Sequence, residues 1–287
     1  MSIDEVEYWN DYFKDKIKDK NQPIMHMFND SNFPKTIQTF YNYVNKGYLT
    51  NVNNEMLPRA YKLKPRNKSN NNDIKPIHKD NIIKIGRKMK DLKEYLELNP
   101  NANIVEIDTV IGKFDDVNCI LTIYFRNTKL MLMYLIPKYS PTAVVDIFNN
   151  FKIELGINKF KKMFEIILTD NGWEFSKPHE IECDPNTGEK LINLFYTEPY
   201  SSWQKGAIER NHEFIRYIIP KGITFDNLTN KNVIDIMNNI NNVQRKSLNF
   251  LSPYQLFIIK YGNKIADKFL LEYISKDNVN LSYKILK

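Results

Sequence analysis

Three consecutive apolar runs in the middle of the chain decide its fold: "NIVEIDTVIG" (103–112), "CILTIYFR" (119–126) and "LMLMYLIPK" (130–138). Each run is rich in β-branched and aromatic residues, and short polar turns separate one run from the next. This pattern is typical of strands. Because the turns are too short for a crossover, the three runs predict an antiparallel meander.

The segments that follow predict alternating helices and strands. "PTAVVDIFNNFKIELG" (141–156) has an apolar face with a helical period and ends at Gly156. "FEIILTD" (164–170) and "LFYTEP" (194–199) predict two more strands, and a long helix is expected from about Gln204 to Ile219. This order of elements is that of an α/β fold of the ribonuclease-H-like kind: three strands, then helix, strand, helix, strand and helix.

The N-terminal part of the chain predicts a small helical domain. Residues 2–18, "IMHMF" (24–28) and "FPKTIQTFYNYVNKGYL" (33–49) predict three short helices. Three such helices match a helix-turn-helix, although any small helical bundle fits as well. The expected domains are 1–57, helical and helix-turn-helix-like; 58–99, a basic linker with a short helix; 100–260, the α/β core; and 261–287, a C-terminal helix and tail.

Positive charge is concentrated in the predicted linker. The 287 residues carry a net charge of +7, and residues 57–93 alone contain 12 Lys/Arg against 3 Asp/Glu. A basic segment beside a nearly neutral body indicates a polyanionic partner, of which nucleic acid is the commonest. Lys62, Lys64, Arg66 and Lys68 are therefore candidate DNA-binding residues. The alternative is a solvated spacer that is basic because lysine is abundant in this chain.

Composition argues against several other classes of protein. Cys119 and Cys183 are too few for a disulfide framework and lack metal-ligand spacing. The acidic N-terminus does not resemble a signal peptide. The most apolar stretch is interrupted by Arg126, Asn127 and Lys129, so a membrane span is not expected. We expect a cytoplasmic protein.

Three carboxylates are placed where they could share metal ions. Asp108 lies in the first predicted strand and Asp170 ends the fourth. In the predicted fold these strands are parallel neighbours, so the two carboxylates lie side by side. Glu209 follows on the long helix. Because clustered acids repel one another unless cations neutralise them, we expect two Mg²⁺ or Mn²⁺ ions, which suit transfer of a phosphodiester.

Long motifs carry a family resemblance. "VEIDTVIG" (105–112), "LTDNGWEF" (168–175), "YTEPYSSWQKGAIERNHEFIRYIIPKG" (196–222) and "RKSLNFLSPYQLF" (245–257) closely resemble the catalytic core of DDE transposases of the insertion-sequence-thirty family. That core has a retroviral-integrase-type, ribonuclease-H-like fold. The resemblance implies that Asp108, Asp170 and Glu209 are the catalytic metal ligands.

The resemblance also extends to the N-terminal half of the chain. "FYNYVNKGYL" (40–49) and "LPRAYKLKPR" (57–66) resemble the second helix-turn-helix and basic linker of the family, whose further N-terminal helix-turn-helix is expected to be missing here. "ECDPNTGEK" (182–190) lengthens the spacing before Glu209 and resembles a hairpin found in some relatives.

Several neighbours of the three acids match the same motifs. Asn171 and Gly172 match a turn that would direct Asp170 into the site, or else simply end a strand. Trp203, Gln204 and Lys205 are candidate DNA contacts, with packing as the alternative for Trp203. Three further side chains could touch phosphates or simply form a solvated helix face: Arg210, His212 and Arg216.

Other acids compete with the predicted three. Glu106 shares a strand face with Asp108, and Glu213 lies one helical turn after Glu209. Asp115 and Asp116 lie in a turn, where exposure to solvent is enough to explain them. We rank all four below Asp108, Asp170 and Glu209.

The expected function is DNA strand cleavage and strand transfer of an insertion sequence by two-metal phosphoryl transfer. The expected partners are double-stranded DNA, as inverted-repeat ends and as target, and further copies of the chain in a homo-oligomer on DNA. The expected location is the bacterial cytoplasm, at the nucleoid when DNA is bound. One alternative is a truncated or domesticated DNA-binding remnant without catalytic activity. Another is a cellular nuclease of the same fold, but no sequence feature favours the nuclease over a transposase.

Overall fold

A five-stranded mixed sheet forms the centre of the molecule. The computed structural model describes residues 2–29, 31–57, 83–199 and 201–286. The strands, in the spatial order β3-β2-β1-β4-β5, are β1 (Ile104–Val110), β2 (Asn118–Phe125), β3 (Met131–Pro137), β4 (Ile166–Thr169) and β5 (Asn193–Tyr196).

The pairing of the strands confirms the predicted fold. β1, β2 and β3 form the antiparallel meander, whereas β4 pairs parallel to β1 and β5 pairs parallel to β4. β3 and β4 therefore run in the same direction, and parallel strands need a long crossover, which α5 (Pro141–Leu155) and α6 (Ile157–Phe164) supply. Gly156 separates these two helices with a φ of 75°, a conformation that glycine adopts at little cost. This is the ribonuclease-H-like α/β arrangement.

Both faces of the sheet are covered. On β4, Ile167 lies in the main hydrophobic core, whereas Ile166 and Leu168 point to the opposite face. There they pack with Leu92 of α4 (Met89–Leu98), the helix predicted before the first strand. Alternation of buried side chains on the two faces explains why the strands are apolar throughout rather than at every second residue.

Among the described residues, five more helices follow β4: α7 (Pro178–Glu182), α8 (Gly206–Ile218), α9 (Asn230–Asn241), α10 (Pro253–Tyr261) and α11 (Asn263–Lys268). α8 packs against β1, and α9 packs against β3. The long predicted helix begins later than expected, because residues Ser202–Lys205 form a 3-10 turn. Cys183 and Lys190 form an antiparallel bridge, so the predicted hairpin is present. Among the described residues, no helix is long and apolar enough to cross a bilayer.

The N-terminal helices form a unit with its own core. α1 (Ile3–Phe13) starts with a capping box between Ser2 and Glu5 and continues as a π-helical segment, Lys14–Asp19, that was not predicted. α2 (Ile24–Phe28) and α3 (Ile37–Asn45) confirm the other two helices. A separate aromatic-rich cluster holds the unit together and includes Trp9, Phe13, Met27 and Phe40. Its role as a DNA-reading helix-turn-helix stays a prediction.

The helical unit docks on the C-terminal segment of the chain. The His26 ring hydrogen-bonds the Lys276 carbonyl through Nε2 (3.1 Å) and accepts the backbone N–H of Gln244 at Nδ1 (2.9 Å). Lys16 Nζ lies 2.6 Å from Asp277 Oδ1. Two further hydrogen bonds join Gln22 to Val279 and Leu281 to Lys20. The segment Lys276–Leu281, called the docking segment below, therefore connects the helical unit to the α/β core.

Candidate active site

Asp108 and Asp170 lie side by side, as the strand order predicted. Asp108 is inside β1 and Asp170 directly follows β4, and these two strands pair in parallel. Both carboxylates contact the same ammonium group: Lys205 Nζ lies 3.2 Å from Asp108 Oδ2 and 3.1 Å from Asp170 Oδ2. The end of the sheet therefore brings two carboxylates to one buried cation.

Backbone amides fix both carboxylates. The Thr109 N–H donates to Asp108 Oδ1 (2.8 Å), and the Gly172 N–H donates to Asp170 Oδ1 (2.9 Å). The pKa of Asp108 is raised to about 6, chiefly by burial; the Lys205 ammonium opposes this rise and the Asp170 carboxylate adds to it. Because ionising Asp108 is costly in this place, a positively charged partner stabilises its carboxylate.

The turn after β4 is tightly packed. The Asn171 side chain donates to the Thr197 carbonyl (3.0 Å), which anchors the turn to the chain beyond β5. At Gly172, an added Cβ would lie 2.8 Å from Glu174 Oε2 and 3.1 Å from Asp170 Oδ1. Only glycine leaves room for both carboxylates, so the turn positions Asp170 and does more than end a strand.

Glu174 is a buried acid beside the site that sequence reasoning missed. It is 6% exposed, and its Oε1 accepts the hydroxyl of Thr109 at 2.6 Å. Its other oxygen has no hydrogen-bond partner among the described residues. The available signal was its place inside the motif "LTDNGWEF", directly after the turn that carries Asp170.

Glu209 lies on the first turn of α8, and its side chain is exposed. It follows Lys205 by four residues, so it lies about one helical turn from the residue that contacts the two aspartates. Within the described part of the chain, no group of three or more His, Cys, Asp or Glu side chains is arranged to hold a metal ion. The structure thus brings Asp108 and Asp170 together around Lys205. Glu209 does not take part in these contacts.

Glu106, the competing acid on β1, has a structural role. Its side chain is fully buried, and its Oε1 lies 2.5 Å from Arg126 Nε. Its Oε2 accepts the backbone N–H of Ile208 at 2.8 Å, and Arg126 also donates to the Gln204 carbonyl. Glu106 therefore ties the start of α8 to the sheet beneath it.

The remaining competing acids differ from one another. Asp115 is exposed, as expected. For Asp116 the expectation of exposure is wrong: it is 6% exposed and accepts hydrogen bonds from Thr224 Oγ1 and the Phe225 N–H. These partners lie more than 100 positions away, so no local pattern predicted them. Glu213 is half-buried on α8.

The predicted DNA-binding residues have different surroundings. Trp203 is 73% exposed and Arg210 is also exposed, so both are accessible to a ligand. The Gln204 side chain accepts a hydrogen bond from the Glu198 backbone N–H through Oε1 (2.8 Å). Lys205 is buried between the aspartates instead of facing solvent, and Arg216 donates to the Ile111 carbonyl at 2.8 Å. Four candidates lie outside the described residues: Lys62, Lys64, Arg66 and Lys68.

His212 does not lie on a solvated helix face, contrary to the expectation from the sequence. Its Nε2 lies 2.9 Å from Thr122 Oγ1, which also donates to the Asp108 carbonyl. The pKa of His212 is lowered to about 3, chiefly by burial and in smaller part by the charges of Lys205 and Arg216. The neutral imidazole thus anchors α8 to β2 behind Asp108.

No family model matches the chain. Individual known proteins do resemble it. The transposase for insertion sequence element IS4351 of Bacteroides fragilis is 36% identical over 167 residues, which are 57% of this chain and 47% of that protein. The chain is related to insertion-sequence transposases. This relationship confirms the family resemblance drawn from the motifs.

A second transposase relative covers more of the chain. The protein assigned to insertion-like element IS1161 of Streptococcus salivarius is 26% identical over 231 residues, 79% of this chain and 60% of that protein. The chain therefore spans about half to three fifths of these two transposases. Among solved structures, the catalytic core domain of BIV integrase is 19% identical, covers 57% of this chain and 99% of its own, and has a TM-score of 0.36.

Proposed function

We propose that this transposase relative cuts DNA at the ends of an insertion sequence and joins those ends to a target, by metal-dependent phosphoryl transfer. One observation carries the proposal: Asp108 and Asp170, held on neighbouring parallel strands, converge on a single buried cation, Lys205 Nζ. Carboxylates gathered around one positive charge at a strand end are suited to binding a divalent cation.

The donor set fits Mg²⁺ or Mn²⁺. Two carboxylates, each with one oxygen fixed by a backbone amide, offer the hard oxygen ligands that these ions prefer. Asp108 and Asp170 would hold the metal, and Glu209, one helical turn from Lys205, would complete the set for the two expected ions. When bound, such ions activate the attacking oxygen and stabilise the charge on the leaving oxygen.

The chain's own groups orient this site and the DNA. The Thr109 and Gly172 amides hold the aspartates in place, and Glu106 fixes the start of α8 and hence the position of Glu209. Trp203 and Arg210 are exposed, six residues before and one residue after Glu209, and would contact the DNA. The partners we propose are the inverted-repeat ends, the target duplex and further copies of this chain assembled on them.

Conservative replacement of the acids tests the proposal. Asp108→Asn, Asp170→Asn and Glu209→Gln should each lower metal-dependent cleavage of a duplex carrying the element's own flanking repeats by at least about 10³-fold, because each amide keeps the shape but loses the charge that holds the metal. Glu213→Gln is the matched control on α8 and should cleave at nearly the normal rate. Far-UV circular dichroism and DNA binding should be unchanged in all four variants.

Two results would contradict the proposal. Wild-type protein that binds DNA but cleaves neither the flanking repeats nor scrambled duplexes with Mn²⁺ or Mg²⁺ would indicate a binding protein without catalytic activity. Full cleavage by Glu209→Gln would remove Glu209 from the catalytic set while leaving the two aspartates in it.

A further inference from the structure

The Lys205 ammonium occupies a cation site made of oxygen atoms. Besides the two aspartate oxygens at 3.2 and 3.1 Å, the Ile107 carbonyl oxygen lies 3.4 Å from Nζ. The Lys205 side chain is 4% exposed and that of Asp108 is 17% exposed, whereas that of Asp170 is 43% exposed. Solvent therefore screens the contact with Asp108 more weakly than the contact with Asp170. The ammonium and a divalent metal ion would therefore seek the same oxygens.

Lys205 reaches this place from the 3-10 turn that precedes α8. Its neighbour Trp203 points outward, whereas the Lys205 side chain points in beneath the helix start. A lysine has a flexible four-carbon stem and a compact charge, so its ammonium can leave the carboxylates without moving the helix. The sheet residues that bear the acids need not move either.

We propose that Lys205 is an internal counter-ion: its ammonium holds Asp108 and Asp170 together before metal binds, and a divalent cation must expel it from both carboxylates. The inference rests on the proposed metal-binding role of the two aspartates. Two adjacent carboxylates repel each other, and the ammonium offsets this repulsion in the metal-free protein. A divalent ion and the ammonium repel each other, so they cannot share the oxygens, and the lysine lowers the metal affinity of the free protein.

Binding of Mn²⁺ to the full chain, measured from the loss of the free-ion electron paramagnetic resonance signal, tests this without any need for activity. Lys205→Met removes the charge but keeps most of the stem. We expect it to bind Mn²⁺ at least about tenfold more tightly than wild type, because one charge-assisted contact to each carboxylate no longer competes. The metal-free variant should melt at a lower temperature than wild type, and Mn²⁺ should raise its melting temperature more.

Lys161→Met is the matched control. Lys161 pairs with Glu189 at the protein surface (2.9 Å), so its loss removes an ion pair without touching the aspartates. Its Mn²⁺ affinity should equal that of wild type. Equal or weaker affinity in Lys205→Met would overturn the counter-ion role, whereas absence of Mn²⁺ binding to both wild type and Lys205→Met would overturn the metal-binding proposal itself.

A second measurement uses the wild-type chain alone. Acetylation by an N-hydroxysuccinimide ester, read by peptide mass spectrometry, should modify Lys205 slowly in EDTA because its amine is buried and paired. Saturating Mn²⁺ should increase its modification several-fold while leaving that of Lys161 unchanged. If Lys205 stays equally protected with Mn²⁺ bound, the ammonium is not expelled and the inference fails.

Discussion

At Gly172, two carboxylates leave no room for a side chain. Gly172→Ala would place a methyl group 2.8 Å from Glu174 Oε2 and 3.1 Å from Asp170 Oδ1. We expect it to lower the free energy of unfolding by about 1–3 kcal/mol and to reduce cleavage, since Asp170 must move. Gly206→Ala is the control, because an added Cβ there meets nothing within 4 Å. Urea denaturation and a cleavage assay measure both effects, and normal values for Gly172→Ala would show that the turn is adaptable.

Asp108 should make stability depend on pH in the metal-free protein. Its pKa is raised to about 6, above the ordinary value of an aspartate, so between about pH 4 and 6 the folded chain binds the proton that the unfolded chain has lost. The contribution of Asp108 to stability therefore falls as pH rises through this window. Asp108→Asn should raise the free energy of unfolding at pH 7.5, in EDTA, by up to about 3 kcal/mol, and much less at pH 4.

Denaturant titrations of wild type and Asp108→Asn at the two pH values measure this difference. Asp115→Asn is the control, because it makes the same change at an exposed position between β1 and β2. If the free energies of unfolding of Asp108→Asn and wild type differed by the same amount at both pH values, that result would contradict the burial of an ionised Asp108.

At the scale of elements, the sequence predicts the strands well because each strand is set by the pattern of neighbouring residues and by the turns beside it. The runs that form β1 to β5 owe their apolar character to burial on both faces, and short turns dictate the antiparallel meander. The start of α8 was predicted too early, because the 3-10 turn Ser202–Lys205 has a helix-like pattern but is held by long-range contacts to the sheet. The burial of Asp116 and Lys205 was not predicted for the same reason: the residues that bury these two side chains lie far away in sequence.

The contact between β1 and α8 has a testable role in positioning the site. Glu106→Gln would leave Arg126, whose side chain is 36% exposed, without its charge partner beneath the start of α8. Because a buried hydrogen-bonding group is then left imperfectly paired, the change should cost about 1–3 kcal/mol. We expect lower stability and slower cleavage with unchanged DNA affinity. Glu189→Gln, which breaks the surface pair with Lys161, should change stability by less than about 1 kcal/mol. Equal effects of the two changes would show that Glu106 does not support the helix.

The basic linker permits an independent prediction from the sequence. Neutral replacement of Lys62, Lys64, Arg66 and Lys68 should weaken binding to all DNA sequences alike, because phosphate contacts do not distinguish bases. The log–log dependence of affinity on salt should become shallower by up to about 0.9 for each phosphate that the protein no longer neutralises. Fluorescence anisotropy at several salt concentrations measures the slope, and an unchanged slope would identify the segment as a spacer.

At the scale of the whole molecule, His26 should make the joint between the helical unit and the core sensitive to acid. Burial lowers the pKa of His26 to about 4, so below about pH 6.5 the unfolded chain binds a proton that the folded chain excludes. Stability from this group is complete above about pH 6.5 and is lost as pH falls towards 4, by up to about 3 kcal/mol. His26→Gln should flatten this loss, whereas His179→Gln, at an exposed position, should not.

Thermal unfolding of the three proteins between pH 7.5 and 4 measures the effect. The joint itself could not be predicted from the sequence, because its hydrogen bonds connect residues some 220 to 260 positions apart, such as His26 with Gln244 and Lys16 with Asp277. A wild-type chain whose stability falls with acid no faster than that of His26→Gln would show that the ring is not buried in solution.

The docking segment has a consequence for the order in which the molecule is assembled. The helical unit leaves the ribosome before the α/β core, yet Asp277, which pairs with its Lys16, is made 261 positions later. At about 5–20 residues per second, this delay is roughly 10–50 s. During that time the aromatic cluster of Trp9, Phe13 and Phe40 must hold the unit together without the rest of the protein. Every nascent molecule therefore passes through a stage in which the helical unit is free and the α/β core is unfinished.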